Sequence, residues 1–77
     1  MNSIILRFKL IRNNEVFEVI FDKRLSFIAN FKLLKDIYDI GNIEDKFIYD
    51  ESKNMALRKD VSLSNYNFYN FITLSIY

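Results

Sequence analysis

Cysteine and histidine are both missing from these 77 residues, and with them go the usual routes to a reactive or metal-holding centre. Without cysteine there is no disulfide framework, no thiolate zinc site and no thiol nucleophile. Without histidine the chain lacks the side chain that titrates nearest neutral pH and the commonest metal ligand. Proline is absent and glycine occurs once, at Gly41. No linker, repeat or glycine-rich phosphate cradle therefore punctuates the chain, and a single domain over 1–77 is expected. Long apolar runs are missing as well. The opening Ile4-Ile5-Leu6 is broken at once by Arg7 and Lys9, too soon for a secretory signal or a membrane span. Direct membrane insertion is not expected, and the cytoplasm is the expected location. No sign of charge dominates either. The formal net charge is +1 with both signs interleaved, which offers no footprint for nucleic acid or an anionic surface.

What is present is core material. Half of the residues are hydrophobic and 17% are aromatic, ample for a domain near the size where one core only just suffices. Ile4, Leu6, Phe8 and Leu10 alternate with Ile5, Arg7, Lys9 and Ile11, the period of a half-buried strand. Asn13-Asn14 follows, and asparagine tolerates the left-handed backbone of a tight hairpin turn. A second strand is predicted from Glu15 to Phe21, with Phe17, Val19 and Phe21 opposed to Val16, Glu18 and Ile20. The period then changes. Asn30 is the expected N-cap of a helix carrying Phe31, Leu34 and Ile37 or Tyr38 on one side. Gly41 stands where a C′ glycine would end that helix, near Asp39 or Ile40. Short strands are predicted over 46–49 and 55–57, separated by a polar turn from Asp50 to Asn54. Ser62 or Ser64 is expected to cap a small helical turn, and 71–77 alternates as a last strand.

The C-terminal block is the most distinctive stretch: Leu63-Ser64-Asn65-Tyr66-Asn67-Phe68, then Ile72-Thr73-Leu74-Ser75-Ile76-Tyr77. It resembles the closing part of the ubiquitin-like β-grasp family, in which a one-turn helix with this Leu-Ser-x-Tyr-Asn pattern leads into a final strand. The resemblance implies an α+β fold, a mixed sheet with one main helix packed across it. Its order is ββαββ, with a short helical turn before the last strand. It also implies that Leu63 enters the core and that the Tyr66 hydroxyl bonds to backbone in the preceding turn. Ile72, Leu74 and Ile76 would face inward, and Thr73, Ser75 and Tyr77 outward. Within the family the sequence is most similar to the small bacterial ubiquitin-like proteins of the YukD/EsaB group, which accompany type VII secretion. Arg24-Leu25-Ser26 before the helix, the stripe Phe31-Lys32-x-Leu34-x-Asp36-Ile37 and the C-terminal block carry that similarity. With the chain ending at Tyr77 and no di-glycine tail, a non-conjugating protein is expected.

No catalytic set emerges. The carboxylates Glu44-Asp45 and Asp50-Glu51 lie in turns at spacings that match no EF-hand, so no metal, cofactor or enzymatic activity is expected. Binding remains. By alignment with ubiquitin's apolar recognition patch, its centre falls on Ile48 and Tyr77, with Leu10 or Ile11 from the first turn. Lys9, Lys46 and Ser75 would form a polar rim, and Ile5, Val16 and Ile20 would extend the apolar area. The expected partner is a protein, with a secretion component implied by the resemblance, and the chain a monomer or weak homodimer. A domain of unrelated role, excised from a larger protein or self-associating, is the alternative. Nucleic-acid binding through Lys9, Arg12, Lys23, Arg24, Lys32, Lys35 and Lys46 is less favoured, since acidic residues interleave with them.

Overall fold

Alternating side chains and one capped helix produce the architecture seen in the computed structural model, which describes residues 2–34 and 41–77. Strand β1 spans Ser3–Leu10 and β2 spans Glu15–Asp22, paired antiparallel in unbroken register from Ser3↔Asp22 to Leu10↔Glu15. The hairpin closes through Asn14, whose φ of 61° is the left-handed geometry asparagine tolerates. Helix α1 spans Phe27–Leu33, followed by β3 (Ile48–Asp50), β4 (Met55–Leu57) and β5 (Ile72–Ile76). The sheet order is β2-β1-β5-β3-β4. The central β1·β5 pair is parallel and the others antiparallel, so the sheet is mixed as expected.

One face of this sheet is the core face. Ile4, Leu6, Phe8 and Leu10 from β1, Val19 and Phe21 from β2, and Ile72, Leu74 and Ile76 from β5 are all buried. Helix α1 covers them with Phe27 and Phe31. Phe8 lies at the centre, with ring centroids 5.1–6.1 Å from those of Phe17, Phe21, Phe27 and Phe31. Offset and edge contacts of this kind add to the area that the rings bury.

The helix starts earlier than the sequence pattern suggests. Its N-cap is Ser26, whose Oγ accepts the Ala29 N–H at 3.0 Å, and not Asn30. Asn30 is instead a buried residue in the helix's second turn. Its Oδ1 accepts the Asp22 N–H at 2.9 Å, and its Nδ2 donates to the carbonyls of Asp22 and Ser26. It occupies the place of a neighbouring strand at the end of β2. A capping-type residue can serve either role, and only the packed helix selects between them. Gly41 has a left-handed φ of 76°, but helix α1 ends at Leu33 with Leu34 as its C-cap, so Gly41 is not the C′ residue of that helix. The expected apolar positions at 37 and 38 and the helix end near 39 or 40 lie outside the described residues.

The C-terminal motif takes up its expected places. Ser62, not Ser64, caps the 3₁₀ turn Leu63–Asn65, and its hydroxyl also donates to the Lys23 carbonyl at 2.8 Å. Leu63 is fully buried. The Tyr66 hydroxyl accepts the Arg58 backbone N–H at 2.8 Å, which satisfies an oxygen held against the core. Asp50, expected in a polar turn, is instead a buried strand residue. Its Oδ1 accepts from the Ser52 N–H, the Ser52 hydroxyl and the Lys53 N–H, and so ties down the β3–β4 turn.

Candidate functional site

The sheet's second face carries no helix among the described residues, and strand alternation decides which side chains stand on it. From β1 these are Ile5, Arg7 and Lys9, paired with Ile20, Glu18 and Val16 of β2. From β5 they are Thr73 and Ser75, beside Arg7 and Lys9. Ser75 in turn pairs with Tyr49 of β3. Just beyond the ladder, Phe47 and Tyr77 exchange both backbone hydrogen bonds, at 2.9 and 3.2 Å, so their side chains stand on this same face.

Several expected patch residues are therefore elsewhere. Ile48 is fully buried, paired with Ile76 and Leu57 on the core side. A one-residue slip in register carries a side chain to the opposite face, and Phe47-Ile48-Tyr49 is apolar at every position, so its pattern conceals the parity. The exposed hydrophobic next to Tyr77 is Phe47, 69% accessible. Leu10 is likewise buried, and the first-turn residue on the open side is the alternative Ile11. Ser75 has the outward parity, yet it is buried between the larger side chains of Lys9 and Tyr49 in the adjoining strands. Lys46 has the parity of Ile48 rather than of Tyr77, and its side chain lies against Gly41. Lys9 and Tyr77 stand where expected.

The centre of the open face is an aromatic cluster. The Tyr49 and Tyr77 rings meet edge to face with centroids 6.1 Å apart. The Tyr77 hydroxyl donates to Glu51 Oε1 at 2.6 Å, and the Tyr49 hydroxyl is bonded to Asn54. Alongside runs an open groove of about 450 Å³ lined by Lys9, Ile11, Glu51, Tyr69, Phe71 and Ser75. Phe71 holds a left-handed φ of 69°, costly for an aromatic residue, with the Arg7 guanidinium 5.2 Å above its ring. The sequence pattern counts Phe71 with the last strand and Glu51 among the turn carboxylates, but β5 begins at Ile72 and Phe71 lies in the turn before it, so no period marks either side chain for this face.

The Glu51 carboxylate, by accepting the Tyr77 hydroxyl, favours the neutral phenol and holds Tyr77 above the usual tyrosine range. A folded pKa above the unfolded one means that the contribution to stability is intact below the ordinary tyrosine value. It is lost as pH rises through the raised one. Ring signals of Tyr77 followed by NMR should titrate later than those of a free tyrosine, and Glu51→Gln should bring the transition back down. A midpoint that Glu51→Gln leaves in place would show that the carboxylate is not its cause.

Several other charges are paired locally. Arg7 pairs with Glu18, Arg24 with Asp22 at 2.7 Å, Arg58 with Asp60 at 2.9 Å and Lys32 with Glu44 at 3.9 Å. The Arg24 guanidinium pulls the Asp22 carboxyl down to about 2. Lys59 donates to the carbonyls of Ile43, Glu44 and Lys46. Among the described residues no group of three or more acidic side chains converges as a metal site would require. Among them, too, no helix is long and apolar enough to cross a membrane.

A five-stranded mixed sheet with one helix across it and a 3₁₀ turn before the last strand is a ubiquitin-like β-grasp fold. Solved structures of ubiquitin-like domains share it. That of Dsk2 from Plasmodium falciparum superimposes with a TM-score of 0.75 at 20% identity, covering 96% of this chain and 95% of that one. The ubiquitin-like domain of an Arabidopsis thaliana protein gives 0.75 at 13% identity, covering all of this chain and 78% of the other. Comparison by sequence finds no matching family model and no matching curated protein.

Proposed function

We propose that this protein is a non-enzymatic protein-interaction module that works by non-covalent contact through the open sheet face. The observation that carries this reading is the aromatic cluster there: Phe47 is 69% and Tyr77 51% exposed, beside Tyr49 and the groove. Large aromatics rimmed by Lys9 and Glu51 have the make-up of an interface centre, in which tyrosine and phenylalanine supply area with few rotamers to freeze. The proposed setting is cytoplasmic, as an accessory or regulatory component of a bacterial type VII secretion system. The similarity of Arg24-Leu25-Ser26, the Phe31 to Ile37 stripe and the C-terminal block to the YukD/EsaB group supports that setting.

The double variant Phe47→Ser/Tyr77→Ser tests the face. Both side chains point away from the core, so circular dichroism should show the fold retained. Affinity for a captured partner should fall by about 2 kcal/mol or more, roughly 30-fold. Binding unchanged by the pair would show that recognition occurs elsewhere. Co-purification of the tagged protein with the secretion ATPase, lost in the double variant, would bear on the setting separately.

A further inference from the structure

Phe47 is mostly exposed, so its place depends on the main chain to either side of it. On the C-terminal side the chain is fixed, because Ile48 pairs with Ile76 in the ladder and is buried in the core. On the N-terminal side lie the 3₁₀ turn Ile43–Asp45 and then Lys46, a stretch outside the strands. The carbonyls of this stretch converge on one side chain. Lys59 Nζ donates to the carbonyl oxygens of Lys46 at 2.6 Å, Glu44 at 2.8 Å and Ile43 at 3.2 Å. An ammonium has three N–H donors, and three carbonyls can engage them all. The sign is also favourable, since the last carbonyls of a helical turn lack partners within it and attract a cation. Among the described residues Lys59 has no carboxylate partner, and the neighbouring Asp60 is paired with Arg58. The Lys59 carbonyl in turn accepts the Ile28 N–H at 3.2 Å, in the first turn of α1. Residue 59 thus joins the start of the helix to the segment that leads into Phe47.

We infer that Lys59 is a positioning residue for the recognition face, acting on Phe47 through the main chain of Lys46. The inference rests on the use of that face proposed above. By gathering three carbonyls at one point, the ammonium sets the angle at which the chain enters the bonds between Phe47 and Tyr77. Those two bonds hold both aromatic side chains on the open face, so the same tether serves Tyr77. A partner that meets rings already held in place is spared the cost of ordering them, and that saving appears as affinity. Loss of the ammonium leaves the three carbonyls without this donor, and the approach to Phe47 opens while the ladders of β1 with β2 and β5 remain.

Amide exchange on the full chain tests the tether without any partner. Lys59→Met keeps an unbranched stem and removes all three donors. Protection of the Lys46, Phe47 and Tyr77 amides should fall about ten-fold or more beyond any loss at Val19 and Phe21, which report on the domain as a whole. Lys59→Arg, which keeps the charge and several donors, should recover part of that loss. It also carries the reading if Lys59→Met does not fold. An equal loss at all five amides would show a general contribution to stability only, and would overturn the inference. So would a loss in Lys59→Arg as large as that in Lys59→Met. Recognition is then read with the partner used for Phe47→Ser/Tyr77→Ser, and Lys59→Met should weaken its binding about ten-fold. Binding lowered by the double variant but unchanged by Lys59→Met overturns the inference and leaves the face as the binding site. Binding unchanged by both overturns the reading of the face itself, and with it any role of Lys59 in recognition.

Discussion

Phe8→Ala is expected to destabilise this fold by about 3–5 kcal/mol, the usual cost of emptying a buried aromatic site. The side chain has no exposed surface, and four other phenylalanine rings lie around it. Those rings come from β2 and from α1, so no single element can move in to close the space without parting from another. Domains hold roughly 0.05–0.15 kcal/mol of stability per residue, about 4–12 kcal/mol for a chain of this length. One substitution therefore removes a large share of the total. Urea unfolding should show the midpoint collapsing, and the melting temperature should fall by about 15 °C or more. Val16→Ala, on the open face, should change stability by less than about 0.5 kcal/mol. A loss below about 1 kcal/mol for Phe8→Ala would mean that the aromatic cluster is not the centre of the core.

Asn30→Ala should cost about 2–3 kcal/mol, because three hydrogen bonds depend on one buried amide. Its loss leaves the Asp22 N–H and the carbonyls of Asp22 and Ser26 without that partner. Asn30→Asp should not rescue stability. It keeps an acceptor for the Asp22 N–H but removes both donors and sets a carboxylate against two carbonyl oxygens. Amide exchange supplies a readout that general destabilisation would not give: Asp22 should lose protection in Asn30→Ala ahead of its strand neighbours. If Asp22 exchanges slowly in the variant and stability is unchanged, Asn30 does not close the end of β2.

Much of the scaffold is legible along the chain. The alternation from Ile4 to Leu10 and from Phe17 to Phe21 follows directly from the two-residue period of a strand, and the buried residues match it. The resemblance of Leu63 to Phe68 placed a core leucine and a tyrosine bonded to backbone, both as found. The site was less legible, for a reason visible in Phe47-Ile48-Tyr49. Where all residues of a short strand are apolar, periodicity cannot say which of them faces out, and only pairing with β5 does so. Leu10 and Ile11 pose the same ambiguity at the end of β1. Asn30 shows a different limit: its side chain suits a cap, but the distant partner Asp22 determines its use.

By itself, then, the amino-acid order determined what is local or periodic: the hairpin, the apolar helix position Phe31, the core face of β1, β2 and β5, and the absence of thiol and imidazole chemistry. Tertiary structure alone decided what depends on register between separated segments. It turned Ile48 inward and Phe47 outward, sank Ser75 between Lys9 and Tyr49, and joined Tyr77 to Glu51. It also spent the Asn30 amide on the border of β2. Those outcomes rest on backbone hydrogen bonds between residues far apart in sequence, and a one-residue shift in any of them would exchange the two faces of the sheet.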